Sequence, residues 1–433
     1  MRDEDNASTM PLVWVCFPGA SYTQRVAQKA ADEVLAPAGW RISATEEPPA
    51  NGDDGAPDAD AYIADYDLLP FDRIFERGAL CSSYMIRKAL IRKHYLAQAL
   101  EMFAAKRGAD TSVAPMTWLL DCQFADELDE LLADDLYQLK ELLDENAQKD
   151  DAHRHWFILK PAMADQGHGI QLFSSEDRLR EIFVDMEASD DEEEEEEEEE
   201  DDEDGVLASQ LRHFVIQKYI SDPFLVGTHG TLRKFHLRAY VLCVGGLSVY
   251  LMDDMLALFA TDEYKSPSGS GTDMRGHLTN TCVGVRAAGS APLPTANVFL
   301  LSDLVGAAVP GGQLTEAHLK SIRASAAKVV GTTFEAAARS AAVHWQLWPN
   351  AFELFGVDLL VSGGPDPESM RVWLLEINAV RDLLTATRLC AVRRAARADN
   401  RACVPACAAD KYSARALRPC GRESRRVYPV LLR

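Results

Sequence analysis

Four polar side chains alternate with apolar ones along one short stretch of the chain. They are Lys234, His236, Arg238 and Tyr240. A period of two is that of a β-strand, so the pattern predicts a strand with one cationic face and one apolar face. Lys, His and Arg on a half-buried face would stabilise a bound anion, and phosphate is the obvious candidate. A solvated strand face is the alternative.

Two carboxylates and an amide form a second polar group. If a hairpin closes around Asp366 and Pro367, Asp358 lies across from Glu376, and Asn378 shares the face of Glu376. Facing carboxylates destabilise a hairpin unless a cation lies between them. Oxygen ligands of this kind suit magnesium held together with nucleotide phosphates. The alternative is an exposed hairpin edge, but the Leu-Leu-Glu-Ile-Asn sequence is too apolar for a free surface.

A lysine followed by a glycine loop forms a third group. Residues 156–160 predict a strand that ends in Lys160, and Gly167 and Gly169 precede a second strand at 170–173. Such a hairpin is able to fold over a polyphosphate, because glycine lets backbone N–H groups approach its oxygens. The chain contains neither a Walker P-loop nor the protein-kinase motifs. Further on, Gln217 and Lys218 lie where a strand could form a hinge for adenine.

These groups lie among several predicted strands and helices. Residues 12–17 predict a buried strand, and apolar spacing predicts helices at residues 22–35, 84–106, 126–146 and 316–338. The helix at 84–106 has a basic face, which is either solvated or directed at a ligand phosphate. Its members are Arg87, Lys88, Arg92, Lys93 and His94.

Composition limits the class of protein. The 433 residues suffice for two or three domains, and the formal charge is −24. Residues 190–204 are all acidic and cannot be core, so the rest of the chain carries only −9 and general nucleic-acid binding is not expected. No run approaches the ~18 apolar residues of a membrane helix. With no signal peptide and nine irregularly spaced cysteines, the sequence predicts a cytoplasmic protein.

In six ordered segments, the sequence resembles the tubulin–tyrosine ligase family. They are Ile-Leu-Lys160-Pro with Gly167-His-Gly169, Val-Ile-Gln217-Lys218-Tyr-Ile220, Arg-Lys234-Phe-His-Leu-Arg238, His-Leu-Thr279-Asn280, Phe-Gly-Val-Asp358 and Trp-Leu-Leu-Glu376-Ile-Asn378. The resemblance covers roughly residues 84–379. It is strongest to a fungal branch that includes a yeast protein associated with processing bodies.

The resemblance implies an α/β (α+β) ATP-grasp fold, with the nucleotide between two mainly antiparallel sheets and a small α/β domain before them. The expected divisions are an N-terminal domain at 1–115, a central subdomain at 116–213, a C-terminal subdomain at 214–383 and a basic, disordered tail at 384–433. A disordered acidic insertion is expected at 187–205.

It also implies a role for each matching residue. Lys88 and Lys160 would contact ATP phosphates, and Gln217, Lys218 and Ile220 would hold the adenine. Lys234 and Arg238 would stabilise the phosphates and the charge that develops during catalysis. His236 stands where most of the family has an Asp that faces the ribose, and Thr279 and Asn280 would line the phosphate end. Asp358, Glu376 and Asn378 would bind Mg²⁺.

The implied reaction is an ATP- and magnesium-dependent ligation of a free amino acid, tyrosine by default, to a protein carboxylate through an acyl phosphate. The implied protein substrate is tubulin, at the α-tubulin C-terminal tail. No membrane association or direct nucleic-acid binding is expected. The implied location is the cytoplasm, with association with microtubules or processing bodies. Glutamylation is one alternative, and a nucleotide-binding scaffold of ribonucleoprotein granules without ligase activity is another.

Two features of the chain favour the scaffold. Where the family has an arginine that grips the amino-acid carboxylate, this chain has an apolar segment around Leu258. The chain after residue 384 carries a net charge of +9 and no clear strand, and it contains Cys390, Cys403, Cys407 and Cys420. A zinc cluster built from these cysteines matches no usual ligand spacing.

Overall fold

A computed structural model of the chain describes residues 10–48, 55–108, 112–122, 124–150, 153–161, 169–197, 213–268, 273–279, 297–380 and 427–430. These residues form a four-stranded parallel sheet, a four-stranded and a seven-stranded antiparallel sheet, and two short ribbons, with helices packed against the sheets. The mixed α/β class predicted from the sequence is confirmed. None of the described helices is both long enough and apolar enough to cross a lipid bilayer.

The N-terminal part is a small parallel sheet with helices. Its strands are β1 (Leu12–Cys16), β2 (Arg41–Thr45), β3 (Ala61–Ala64) and β4 (Leu80–Cys81), in the order β2-β1-β3-β4. Its helices are α1 (Ser21–Ala30), which continues as a π-helical turn at Ala31–Leu35, and α2 (Phe71–Arg77). The predicted strand at 12–17 and helix at 22–35 are therefore confirmed.

The basic helix predicted at residues 84–106 is wrong at its start and in its continuity. The structure has α3 (Lys88–Ile91) and α4 (Lys93–Arg107), separated by Arg92 in an extended conformation. Tyr84 is buried and its N–H donates to the Glu353 carboxylate at 3.0 Å, so tertiary contacts hold this residue outside the helix. Helical spacing alone could not show this competition.

The central part is a four-stranded antiparallel sheet. Its strands are β5 (Thr117–Asp121), β6 (Phe157–Pro161), β7 (Gln171–Phe173) and β8 (His213–Lys218), in the order β5-β8-β6-β7. The predicted hairpin of β6 and β7 is confirmed. Gly169 precedes β7 with φ +66°, and a Cβ there would lie 2.9 Å from Pro161 Cγ, so the hairpin requires glycine at this position.

Three helices accompany the central sheet: α5 (Leu128–Ala133), α6 (Tyr137–Asn146) and α7 (Glu176–Glu197). The single helix predicted at 126–146 is instead broken between α5 and α6. Helix α7 extends into the acidic run, so the predicted disordered insertion at 187–205 is helical up to Glu197, consistent with the good helix propensity of glutamate. The rest of the run lies outside the described residues.

The C-terminal part contains a seven-stranded sheet, two ribbons and a long helix. The ribbons are β9 (Val226–Thr228) with β10 (Thr231–Arg233), and β15 (Ala308–Val309) with β16 (Gly312–Gln313). The sheet contains β11 (Phe235–Val244), β12 (Ser248–Met252), β13 (Leu256–Phe259), β14 (Val298–Leu300), β17 (Phe352–Ser362), β18 (Arg371–Ala379) and β19 (Val427–Val430). Helix α8 (Glu316–Ser340) covers one face, where Ile322, Val330 and Phe334 enter the core.

Strand β11 is the centre of this sheet. One edge pairs along its length with β17, while the other pairs with β13 in its first half and with β12 in its second half. The alternation predicted around Lys234 is confirmed, since Phe235, Leu237 and Ala239 lie in the core under α8. Lys234, His236 and Arg238 therefore face the opposite side of the sheet.

Two expectations about the ends of this part change. The tail predicted to lack a strand contributes β19, which pairs with the edge strand β12; its Val-Tyr-Pro-Val sequence fits an edge, where proline is tolerated. The four tail cysteines lie outside the described residues.

The predicted division between residues 213 and 214 falls at the start of β8, whose pairing belongs to the central sheet. The domain limits remain predictions.

A buried ion pair joins the segment before α3 to the large sheet. Arg87 Nε lies 3.0 Å from Glu353 Oε1 on β17, and both side chains are nearly inaccessible to solvent. Arg87 also donates to Ser83 Oγ at 2.6 Å, and its guanidinium stacks 3.7 Å from the centre of the Tyr66 ring. These contacts connect the N-terminal part to the sheet that carries the polar row.

We expect Glu353→Gln to lower the free energy of unfolding by about 3 kcal/mol, because it leaves the buried Arg87 guanidinium without its carboxylate. Urea denaturation followed by circular dichroism measures this change. Glu368→Gln, in the exposed turn between β17 and β18, is the matched control and should stay within about 0.5 kcal/mol of the parent protein. Equal midpoints for the two variants would contradict this account of the ion pair.

Candidate functional site

A cleft lies between the central sheet, helices α3 and α4, and strand β18. Its wall is apolar near α4, where Leu96, Ala97 and Leu100 line it, and polar at the other end. The polar lining residues are Arg92, Lys93, Thr117, Lys160, Gln217, Glu376 and Asn378. Both sheets therefore contribute to one cleft, and residues predicted from separate motifs meet there.

The central sheet contributes a short hydrogen-bonded chain to the cleft. Lys160 on β6 donates from Nζ to Gln217 Oε1 on β8 at 3.0 Å, and Gln217 Nε2 donates to Thr117 Oγ1 on β5 at 3.2 Å. Burial lowers the pKa of Lys160 to about 8; Glu376 opposes this shift and Lys93 adds to it. A buried ammonium with a neutral amide as its hydrogen-bond partner favours a bound anion.

The large sheet contributes a row of charged side chains across three adjacent strands. Arg238 on β11 pairs with Asp358 on β17, which pairs in turn with Glu376 on β18. Arg238 binds both oxygens of Asp358, through Nε to Oδ1 and through Nη2 to Oδ2 at 2.8 Å. This bidentate geometry is the strongest form of a guanidinium–carboxylate contact.

The Asp358–Glu376 pairing confirms the prediction from the hairpin. An irregularity between Asp358 and Leu359 shifts the register, so that Leu359 pairs with Leu374. Leu374 and Ile377 both face the core, which leaves Glu376 and Asn378 on the cleft side. Asn378 Nδ2 lies 3.1 Å from Glu376 Oε1 and 3.5 Å from Asp358 Oδ2, so the three predicted metal ligands converge.

Gly356 makes room for the arginine of this row. A Cβ at this position would lie 3.3 Å from Arg238 Cδ and 3.6 Å from Arg238 Nη1. Glycine thus lets the guanidinium lie flat across β17 and reach Asp358 with both of its bonding nitrogens.

The charges of the row stabilise one another. Burial alone would raise the pKa of Asp358, but Arg238 and then His236 outweigh it and hold the pKa below its ordinary value. Burial alone would lower the pKa of Arg238, and Asp358 reverses the effect. Both groups therefore stay ionised at neutral pH despite being buried.

His236 lies between the cationic and acidic groups as a neutral side chain. Its Nδ1 lies 2.6 Å from Thr279 Oγ1, while Nε2 is buried without a hydrogen-bond partner and lies 3.7 Å from Asp358 Oδ1. Burial lowers the pKa of His236 to about 4, against the opposing effect of Asp358. A buried imidazole nitrogen without a partner fits a site that takes a polar ligand atom.

The residues present fit a nucleotide and a divalent cation. Lys160, Lys234 and Arg238 are cations from two sheets, of which Lys234 is buried and the other two are half-buried, and this arrangement suits a polyphosphate. Asp358, Glu376 and the amide oxygen of Asn378 are hard oxygen donors of the kind that magnesium prefers. Arg238 uses one lone pair on each Asp358 oxygen, and Oδ2 also accepts from Asn378 at 3.5 Å, so Oδ1 keeps a further acceptor position.

Several predicted residues lie elsewhere. Lys88 is exposed at the start of α3 and is not among the residues that line the cleft, whereas Lys93 lines it, with Nζ 3.9 Å from Glu376 Oε2. Lys218 and Ile220 are half-buried at and just beyond the end of β8. Asn280 lies outside the described residues, as do Gly167 and His168 of the glycine loop.

Among the polar lining residues, sequence reasoning missed Arg92, Lys93 and Thr117. Lys93 belonged to the basic face predicted for residues 84–106, but only the break at Arg92 determines which lysine of that face enters the cleft. Thr117 gave no signal, since a threonine in a strand is ordinary.

Leu258 pairs with His236 and is buried with Leu256, Val298 and Leu300 in an apolar cluster.

Known proteins resemble this chain over most of its length. The model of the tubulin-tyrosine ligase family matches residues 79–392. A probable tubulin–tyrosine ligase of Schizosaccharomyces pombe is 38% identical over 76% of this chain and 77% of its own length. The probable tubulin–tyrosine ligase PBY1 of Saccharomyces cerevisiae is 32% identical over 74% of this chain, which corresponds to 42% of that protein.

A solved structure extends the likeness to the fold. The C-terminal domain of K. lactis Pby1, an ATP-grasp enzyme that interacts with the mRNA decapping enzyme Dcp2, superposes with a TM-score of 0.56. It is 26% identical, and the match covers 86% of each chain. The fold is therefore ATP-grasp, as the sequence resemblance implied, and the matches support a ligase-type enzyme. The chain belongs to the tubulin–tyrosine ligase family.

Proposed function

We propose that this protein is an ATP- and magnesium-dependent ligase that joins a free amino acid, tyrosine by default, to a protein carboxylate. One observation carries the proposal: Lys160 of the central sheet lines one cleft together with Glu376 and Asn378 of the large sheet. The cations Lys160, Lys234 and Arg238 suit the phosphates of ATP. Asp358 and Glu376 lie opposite one another on β17 and β18.

The proposed reaction has two steps. A carboxylate oxygen of the acceptor protein attacks the γ-phosphorus of ATP, the bond to the β-phosphate oxygen breaks, and ADP leaves. The amine of the incoming amino acid then attacks the acyl carbon, phosphate leaves, an amide bond forms, and the nitrogen releases a proton to solvent. Lys234 and Arg238 would offset the negative charge on the transferring phosphoryl group. Neither step requires a covalent enzyme intermediate.

Magnesium, when bound, would neutralise phosphate charge and orient the γ-phosphate for in-line attack. Asp358, Glu376 and Asn378 would hold it, since the Asn378 amide lies within 3.5 Å of both carboxylates, and turning this amide over would present its oxygen in place of Nδ2. Gln217 with the end of β8 would hold the adenine. Thr279, which contacts His236, would line the phosphate end.

The proposed acceptor is the α-tubulin C-terminal tail, in keeping with the names of the relatives. The body of the chain is acidic, so recognition of an acidic tail would rest on local cations of the cleft such as Arg92 and Lys93. Ligation of glutamate in place of tyrosine leaves the same ATP site unchanged.

A second candidate function is a nucleotide-binding scaffold without ligase activity. The observation that favours it is the buried apolar environment of Leu258, at the position where the family pattern has a cation for the amino-acid carboxylate. The K. lactis domain that superposes on this chain interacts with a decapping enzyme, so a ribonucleoprotein granule is the corresponding location for a scaffold.

We expect the protein to incorporate one labelled amino acid into detyrosinated tubulin when ATP and magnesium are present. Glu376→Gln should lower the rate by at least about 100-fold, because it removes a charge that stabilises the bound cation. Glu368→Gln, in the exposed turn of the same hairpin, should retain the parent rate. The measurement is scintillation counting of tubulin after incubation with each of the twenty amino acids in turn.

Each result of this assay decides between the candidates. No incorporation with any amino acid, while radiolabelled ATP still binds, would reject the tubulin ligase and favour the scaffold. Incorporation of glutamate instead of tyrosine would identify the glutamylase. Full incorporation by Glu376→Gln would reject the magnesium assignment.

We expect Arg238→Lys to lower the incorporation rate by roughly 10- to 100-fold, the effect of losing one hydrogen bond to a charged group. Lysine keeps the positive charge but cannot bind both oxygens of Asp358. Arg323→Lys is the matched control, because Arg323 contacts Asp253 with Nε at 2.8 Å on another part of the C-terminal fold. Steady-state kinetics that give the same rate for both variants would contradict the role of the bidentate pair.

A further inference from the structure

A buried hydrogen-bonded chain leads away from the cationic row. Lys234 Nζ lies 2.9 Å from the Tyr219 hydroxyl, and this hydroxyl lies 2.7 Å from His277 Nδ1. All three side chains are buried. None of the three side chains lines the cleft beside β18, so their hydrogen bonds support the cationic row from outside that cleft.

The chemistry of the groups determines the direction of these bonds. An ammonium has only donors, so Lys234 donates to the Tyr219 oxygen, which leaves the Tyr219 O–H to donate to His277 Nδ1. His277 must then be neutral, with its proton on Nε2. Burial, with Lys234 as the next cause, lowers the pKa of His277 to about 4, and burial raises the pKa of Tyr219, so both groups keep the forms that this direction requires.

Aromatic packing holds these hydrogen-bonded side chains in place. The Tyr219 ring centre lies 4.3 Å from Lys234 Nζ, so the amine contacts both the face and the hydroxyl of one side chain. The rings of Tyr219 and Tyr264 each meet His277 edge to face, with centres 5.7 and 5.4 Å away. Tyr264 is anchored in turn by its hydroxyl, which donates to the Ser221 carbonyl at 2.8 Å.

The groups that face Lys234 do not neutralise its charge. They are His236 on its own sheet, Lys160 on the central sheet, and Tyr219 and His277 at its hydroxyl contact. All of these are cationic or neutral. The nearest described carboxylate of the row, Asp358, is held by Arg238. Burial, reinforced by Lys160, lowers the pKa of Lys234 to about 7.

We propose that Tyr219 and His277 are positioning residues for Lys234, and that Lys234 takes up a proton from solvent when a polyphosphate anion binds against the cationic row. The hydroxyl of Tyr219 holds the amine in one place and accepts from its charged form. His277 keeps that hydroxyl turned so that its oxygen faces the amine. The identity of the anion rests on the proposed function, whereas the arrangement of the three side chains does not.

The direction of the change in protonation of Lys234 on anion binding follows from the charges around its amine. A buried amine among cations is partly neutral near pH 7, and a phosphate oxygen beside it restores the preference for the ammonium form. Proton uptake on binding is therefore greatest about one pH unit above the midpoint of the free amine. It vanishes at lower pH, where the amine is already charged.

The test is ¹³C NMR of the full chain labelled at lysine Cε, titrated from pH 5.5 to 9.5 without nucleotide. One lysine signal should titrate near neutral pH and be absent from Lys234→Arg, while Lys160 contributes a second signal near pH 8. Tyr219→Phe keeps the ring but removes the acceptor, and should lower the midpoint of the Lys234 signal by roughly one pH unit. Tyr250→Phe on β12 is the matched control and should leave the midpoint unchanged.

Variants of His277 distinguish the effect of its hydrogen bond on the Lys234 midpoint from the effect of its size. His277→Asn retains an acceptor at the δ position and should give the parent midpoint, whereas His277→Leu should lower it in the same direction as Tyr219→Phe. The proposal is overturned if no lysine titrates below pH 9, or if Tyr219→Phe and His277→Leu both leave the Lys234 midpoint where it was.

Addition of ATP at pH 8 tests the proton uptake. The Lys234 signal should move to the ammonium position, and calorimetry in buffers of different ionisation enthalpy should show less uptake for Lys234→Arg than for the parent protein. An unchanged signal with ATP bound would overturn the uptake. If equilibrium dialysis shows that ATP does not bind at all, the proposed function is wrong, whereas the titration without nucleotide still decides the role of Tyr219 and His277.

Discussion

The pair of Arg238 and Asp358 is the contact on which the site depends. It joins β11 to β17 inside a sheet, and each partner opposes the effect of burial on the pKa of the other. Because Asp358 remains charged, it forms with Glu376 an acidic pair on adjacent strands. Gly356 gives the guanidinium the room that this geometry needs. Losing one partner would leave the other as an uncompensated buried charge, which is among the most destabilising changes in a protein.

The second constraint is the excess of buried cations on the other side of the site. Lys160 and Lys234 come from different sheets, and each has a neutral hydrogen-bond partner, Gln217 and Tyr219. An anion that enters between the sheets would relieve the repulsion of these amines. The electrostatics of the cleft therefore favour a polyphosphate held between the sheets, which is the arrangement that the ATP-grasp fold provides.

Period-two patterns and the hairpin turn were enough to predict the pairing of Asp358 with Glu376 and the cationic face of β11, because strand geometry allows only two directions for a side chain. Helical patterns were less informative. The basic face at residues 84–106 contained the right kind of residue but did not identify Lys93, because the helix is broken at Arg92. The strand β19 was not predicted, since the strand β12 with which it pairs lies far away in the sequence.

The sequence by itself determined the types of group in the site, the strands that carry them and the family to which the chain belongs. These properties are local, since they depend on alternation, turn residues and the order of motifs along the chain. Only the tertiary structure decided that Arg238 binds Asp358 with two nitrogens, that Lys93 enters the cleft, and that Tyr219 links Lys234 to His277. These contacts join residues far apart in sequence, and their geometry depends on how two sheets and a helix pack together.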